Sequence, residues 1–98
     1  MGKVLKIEDI KASVEQVAEE HGIKRVTLFG SYADGKPTNK SDIDLIVNFI
    51  NEDKVTLFTV FGVRHALEDI TGKSVDVIHG PIPKDHFLEI NKEVLLYG

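Results

Sequence analysis

Ninety-eight residues without a cysteine set the scale of a single domain over 1–98 and exclude both a disulfide framework and a thiolate metal site. An apolar share of 42 % and a charged share of 29 % belong to an ordinary globular chain with one modest core, and no apolar run nears the ~20 residues that span a bilayer. The net charge of −4 argues against a protein built to grip a long nucleic acid, and the start Met1-Gly2-Lys3-Val4 lacks a secretory apolar region, so a cytoplasmic location is expected.

Ile7, Ile10, Val14 and Val17 recur at 3-4-3 spacing, the stripe of an amphipathic helix. Glu8 and Asp9 suit its positive N-terminus, and Gly22 after His21 is a natural stop. Arg25–Phe29 is a β-branched and aromatic run that predicts a strand leading straight into Gly30-Ser31. Residues 32–41 collect turn formers and read as a loop with room for one opening helical turn. Asp42–Phe49 alternates as a second strand, with Ile43, Leu45 and Val47 on one face and Asp42, Asp44 and Ile46 on the other. After the polar turn Asn51–Lys54, the positions Val60, Val63, Leu67 and Ile70, widened by Leu57 and Phe61, describe a core-facing helix ending at Thr71-Gly72. Phe58 falls outside that stripe and reads as extra core. Ser74–Ile78 predicts a third strand, with Val75 and Val77 opposite Asp76. Beyond Gly80, Pro81 and Pro83, the residues Phe87, Ile90 and Val94 suggest a last short helix trailing into Leu95-Leu96-Tyr97. The order helix, strand, strand, helix, strand, helix predicts a small α/β or α+β domain, a mixed β-sheet flanked by helices.

Chemistry concentrates in the acidic positions. Residues i and i+2 of a strand share a face at about 6.6–6.8 Å, so Asp42 and Asp44 are neighbours beside Ile46. If the third strand lies next to the second, Asp76 comes within roughly 5 Å of one of them. Three carboxylates that close repel and require a compensating charge, which a divalent cation supplies. Mg²⁺ prefers one or two carboxylates plus nucleotide phosphates, and two such ions would activate a nucleophile and stabilise a leaving pyrophosphate. Gly30 would let the backbone approach a phosphate, and Ser31 offers a hydroxyl and an N–H there. An EF-hand is excluded because Ile43, Leu45, Ile46 and Val47 form an apolar strand.

The run Phe29-Gly30-Ser31-Tyr32-Ala33-x-Gly35, followed by Ser41-Asp42-Ile43-Asp44-Leu45-Ile46-Val47, resembles the signature of the DNA polymerase β-like nucleotidyltransferase superfamily, and the length with the Asp76 strand resembles its minimal nucleotidyltransferases. The resemblance implies a mixed sheet flanked by helices, with Gly30, Ser31 and Ser41 at the nucleotide. It also implies Asp42, Asp44 and Asp76 as ligands of two Mg²⁺ ions, and Asp76 as general base for the acceptor hydroxyl. Such proteins are commonly antitoxins of an all-helical HEPN ribonuclease, whose tyrosine they modify with AMP from ATP. The resemblance thus implies a protein adenylyltransferase; the alternative is a non-catalytic binding module that neutralises its partner by occlusion. Asp34 departs from the Arg or Lys that many relatives carry, and the chain lacks the extra domain with which larger relatives hold an acceptor.

The remaining candidates have plainer readings. Arg64 is expected to be solvated or ion-paired rather than bound to phosphate, and Lys36 and Lys40 to solubilise the loop. His21, His65, His79 and His86 show no zinc spacing, and His79 is weighed as a residue bordering the pocket.

Overall fold

The computed structural model describes residues 4–80 and 93–98. Its elements run α1 (Ile7–Ala18), β1 (Ile23–Phe29), α2 (Gly30–Asp34), β2 (Ile43–Phe49), a 3₁₀ turn (Glu52–Lys54), α3 (Leu57–Thr71), β3 (Val75–His79) and β4 (Val94–Tyr97). No helix among the described residues is long and apolar enough to cross a membrane.

Helix α1 begins where the Asp9 carboxylate accepts the Lys6 backbone N–H at 3.2 Å, and Glu8 joins it in the first turn. Ile10, Val14 and Val17 are buried as the 3-4 stripe demands, while Ile7, at the helix start, is exposed. Helix α3 is capped by a reciprocal pair: Thr56 Oγ1 accepts from Thr59 N at 3.4 Å, and Thr59 Oγ1 accepts from Thr56 N at 3.1 Å. It ends at Gly72, whose φ of +70° is the left-handed cap that glycine adopts without strain.

The sheet has strand order β3-β2-β1-β4, with β1 antiparallel to both β2 and β4, and β2 parallel to β3. It is mixed, as the element order predicts, because α3 supplies the crossover that a parallel pair needs. One face is the core: Val26, Leu28, Ile43, Leu45 and Val47 pack with Ile10, Val14 and Val17 of α1 and Val63 and Leu67 of α3. The alternation of β2 therefore turns Asp44, Ile46 and Asn48 to the opposite face, away from both helices.

Two expectations need correction. Val94–Tyr97 forms β4 rather than the end of a helix, and Phe87 and Ile90 lie outside the described residues. Leu96 is buried, and the Val94 and Tyr97 positions pair with Leu28 and Val26, so hydrogen bonding along the edge of β1 overrides the helical spacing. The core stripe of α3 is also narrower than the spacing implies. Leu57, Phe58, Phe61 and Ile70 are exposed, and Val63 and Leu67 alone are fully buried.

Candidate active site

Strand pairing brings the acids together. Asp44 and Asp76 are register partners on β2 and β3, one strand spacing apart, about 4.8 Å. Asp42 sits one residue before β2 and is exposed. The Asp44 carboxyl is pushed up from 3.8 to about 6, first by burial, then by the charges of Asp76 and Asp42, and lastly by a hydrogen bond with Asp76 that favours the protonated form. Among the described residues no lysine, arginine or histidine forms an ion pair with any of the three.

No group of three His, Asp or Glu side chains among the described residues is arranged to hold one ion as it stands. Asp44 and Asp76 converge as a pair, and Asp42 stands off at the mouth of the strand. The donor set nonetheless fits a hard cation. It consists of carboxylate oxygens, and its negative charge meets no cationic side chain among the described residues, which is the electrostatic situation that Mg²⁺ relieves.

The glycine turn is built against this pair. Phe29 is the register partner of Asp44, so the next residue arrives beside the carboxylate. Gly30 has φ +76°, and a Cβ placed there would run into the Asp44 carboxylate, 3.1 Å from its Cγ. Only glycine meets both conditions without strain. Ser31 follows in the single turn of α2, half-exposed, its carbonyl accepting Lys36 N at 3.0 Å. Tyr32 behind it is buried, its hydroxyl accepting Leu5 N at 3.5 Å.

Ser41 is not placed like Ser31. Its hydroxyl accepts Thr38 N at 2.8 Å and its own N–H donates to Thr38 O at 3.0 Å, so the contacts it shows shape the turn that delivers Asp42. Lys73 Nζ ties that loop to the start of β3 by donating to Asn39 O at 3.1 Å. Lys36 and Lys40 are exposed on the same loop.

Glu68 was not singled out by its sequence position. Its Oε2 accepts the Val75 N–H at 3.0 Å, and this bond chiefly holds its carboxyl below the ordinary range. It thereby fixes the residue next to Asp76. The sequence signal is faint, an acid seven residues before the strand with Arg64 four residues earlier. Arg64 is ion-paired with Glu68 at 3.4 Å, as expected. His79 lies at the far end of β3, opposite Val47, pairing with Glu52 and setting its ring edge on Phe49 at 5.5 Å and 77°. It is three residues past Asp76 and does not border the acids.

The Nucleotidyltransferase domain family model matches residues 10–98. MJ0435 of Methanocaldococcus jannaschii, named as a candidate protein adenylyltransferase, is 38 % identical over 93 % of this chain and 100 % of its own length. A solved structure described as a minimal nucleotidyltransferase superposes with TM-score 0.67 at 33 % identity, covering 82 % of this chain and 85 % of its own. The MNT antitoxin solved in complex with a tri-AMPylated HEPN toxin of Shewanella oneidensis has TM-score 0.63 at 14 % identity, over 94 % and 72 % of the two chains, a likeness of fold. Sequence and fold agree over nearly the whole chain, which belongs to the nucleotidyltransferase domain family and is a nucleotidyltransferase.

Proposed function

We propose that this enzyme moves AMP from ATP to a protein hydroxyl, the tyrosine of a HEPN-type helical toxin, and so acts as the antitoxin of a cytoplasmic toxin–antitoxin pair. The observation that carries the reading is the register match of Asp44 with Asp76, with Gly30 seated against the Asp44 carboxylate. The adenylyl group and the toxin partner are supported by the names of the relatives, one a candidate protein adenylyltransferase and one an antitoxin bound to an AMPylated toxin.

In this reading Asp42, Asp44 and Asp76 hold Mg²⁺, which neutralises the triphosphate and the charge that develops on the leaving pyrophosphate. Gly30 keeps the backbone clear for the β- and γ-phosphates, and Ser31 donates to them from its N–H and hydroxyl. Ser41 orients Asp42 through the turn it closes. The acceptor oxygen attacks the α-phosphorus, the bond to the β-phosphate bridge oxygen breaks, and the acceptor proton passes to Asp76. Pyrophosphate leaves on the Gly30 side.

The test is transfer of label from α-labelled ATP to the purified toxin in Mg²⁺, with Asp42→Asn/Asp44→Asn as control. Transfer that the double variant loses by at least 10³-fold supports the reading. No transfer, or equal transfer by the variant, overturns it. A double variant that still neutralises the toxin fully makes catalysis dispensable and leaves occlusion as the mechanism.

A further inference from the structure

Asp42 is the acid that the sheet does not hold. Asp44 and Asp76 lie inside β2 and β3 and are placed by the parallel ladder, whereas Asp42 precedes β2 and is exposed. The turn that delivers it is closed by bonds among its own residues. Thr38 N donates to Ser41 Oγ at 2.8 Å, Lys40 N to Thr38 Oγ1 at 3.2 Å, and Ser41 N to Thr38 O at 3.0 Å. Such bonds set the shape of a turn and leave its position on the protein open.

That position is set from the approach to β3. Lys73 Nζ donates to Asn39 O at 3.1 Å across 34 positions of sequence, and Ser74 O accepts Ile43 N at 3.0 Å. Two consecutive residues thus hold the chain on either side of Asp42. Asp76 follows directly beyond them with Val75 between, so the segment that carries one acid also anchors the other. Lys73 is itself braced by the end of α3. Its N–H donates to Thr71 Oγ1 at 3.2 Å, the Thr71 hydroxyl donates to Leu67 O at 2.8 Å, and Glu68 accepts Val75 N at 3.0 Å. An ammonium makes a stronger bond to a carbonyl than a neutral N–H does, and among the described residues Lys73 forms no ion pair with an acid.

We propose that Lys73 is a positioning residue for Asp42: its bond to Asn39 O keeps Asp42 at the mouth of the Asp44–Asp76 pair, a role that rests on the reading of Asp42 as a metal ligand. With the loop held in advance, a divalent cation entering the pair does not have to order it, and its affinity rises accordingly. Charge alone predicts the opposite sign. Lys73 is a cation three residues before Asp76, so by charge its removal would tighten cation binding.

Mn²⁺ is the probe, a divalent ion suited to carboxylate oxygens whose unbound fraction is counted by electron paramagnetic resonance on the full chain. Lys73→Met keeps the side-chain length and removes the donor, and is expected to weaken Mn²⁺ binding about tenfold. Lys73→Arg, which keeps both charge and donor, is expected to bind as wild type does. In an Asp42→Asn background, Lys73→Met is expected to cause no further loss. Hydrogen exchange reads the loop without any metal. The Ser41 amide is expected to exchange about fivefold faster in Lys73→Met, the effect of one lost hydrogen bond, while the Val75 amide held by Glu68 is unchanged. Unchanged or tighter Mn²⁺ binding by Lys73→Met overturns the proposal, as does an equal loss in the Asp42→Asn background. An unaltered Ser41 amide, or equal acceleration of both amides, overturns it too. If Asp42→Asn itself binds Mn²⁺ like wild type, the metal reading of Asp42 fails first and the role of Lys73 falls with it.

Discussion

Asp44 and Asp76 face each other across the parallel pair β2–β3, and the Asp44 carboxyl is held at about 6 by burial and by its acidic neighbours. Two carboxylates at one strand spacing are retained against their own repulsion, and the backbone at Gly30 comes so close that a Cβ there would strike the Asp44 carboxylate.

That repulsion predicts a pH-dependent stability in the absence of divalent ions. The folded-state value of Asp44 lies above its ordinary 3.8, so between about pH 4 and 6 the folded chain binds more protons than the unfolded one. Stability falls as pH rises through that window, and the whole cost is present above it. For a partly solvated group the cost is on the order of 1 kcal/mol. Asp44→Asn is therefore expected to raise the melting temperature at pH 8 and leave it unchanged below pH 4. Under the proposed metal role, millimolar Mg²⁺ stabilises the wild type at pH 8 but not Asp44→Asn. Thermal melts at the two pH values check both, and a variant that melts lower than wild type at pH 8 contradicts the account.

Gly30→Ala and Gly35→Ala separate backbone strain from site damage. Both glycines have positive φ, near +76° and +77°, but a Cβ at Gly35 meets nothing within 4 Å while one at Gly30 strikes the Asp44 carboxylate. Each substitution is expected to cost about 1 kcal/mol for the left-handed backbone. Gly30→Ala alone should also displace Asp44 and lower the proposed AMP transfer at least 10²-fold. Comparable activity in the two variants would show that the Gly30 contact does not matter.

The pairing of Asp44 with Asp76 in the candidate site was legible because its signals are local. Gly30 stands at a strand end, Asp44 on an alternating strand and Asp76 between Val75 and Val77, so period-2 geometry turns these two acids to one face, whereas Asp42, expected on the same strand, sits one residue before β2 and stands off from the pair. What escaped the sequence depends on distant partners. Leu57, Phe61 and Ile70 match a helical stripe, yet the sheet offers only enough surface to cover Val63 and Leu67. Val94 continues a helical spacing, yet the open edge of β1 takes Val94–Tyr97 as a strand. The clip from Glu68 to Val75 N has no periodicity to betray it, since it links a helix end to a strand start across a tight turn.

Glu68 is expected to act as a positioning residue for Asp76. Glu68→Ala removes the acceptor of the Val75 N–H and costs about 1 kcal/mol, while Glu68→Gln keeps an oxygen in place and costs less. If the bond sets the register of β3, Glu68→Ala lowers kcat several-fold with KM for ATP nearly unchanged, and Glu68→Gln restores most of it. A uniform loss in both variants, tracking melting temperature alone, would reduce Glu68 to a stabilising contact.

Gly80 closes β3 against the acid-bearing face of β2, where its N–H donates to Val47 O at 2.8 Å. A Cβ there would lie 2.8 Å from Ile46 Cγ2 and 3.0 Å from Asn48 Nδ2, inside contact distance of two side chains on the Asp44 face. Gly80→Ala is thus expected to overpack the edge by about 1–2 kcal/mol. Ile46, nearly buried, costs about 2–4 kcal/mol on truncation to alanine, which also removes the methyl in the way. The double variant Gly80→Ala/Ile46→Ala should accordingly be more stable than the sum of the single losses by about 1 kcal/mol, because the new methyl occupies part of the vacated volume. Urea melts of the four proteins in the cycle measure this coupling. Strict additivity would mean that the chain at Gly80 moves aside rather than pressing on Ile46, and that the far end of the Asp44 face is softer than its packing implies.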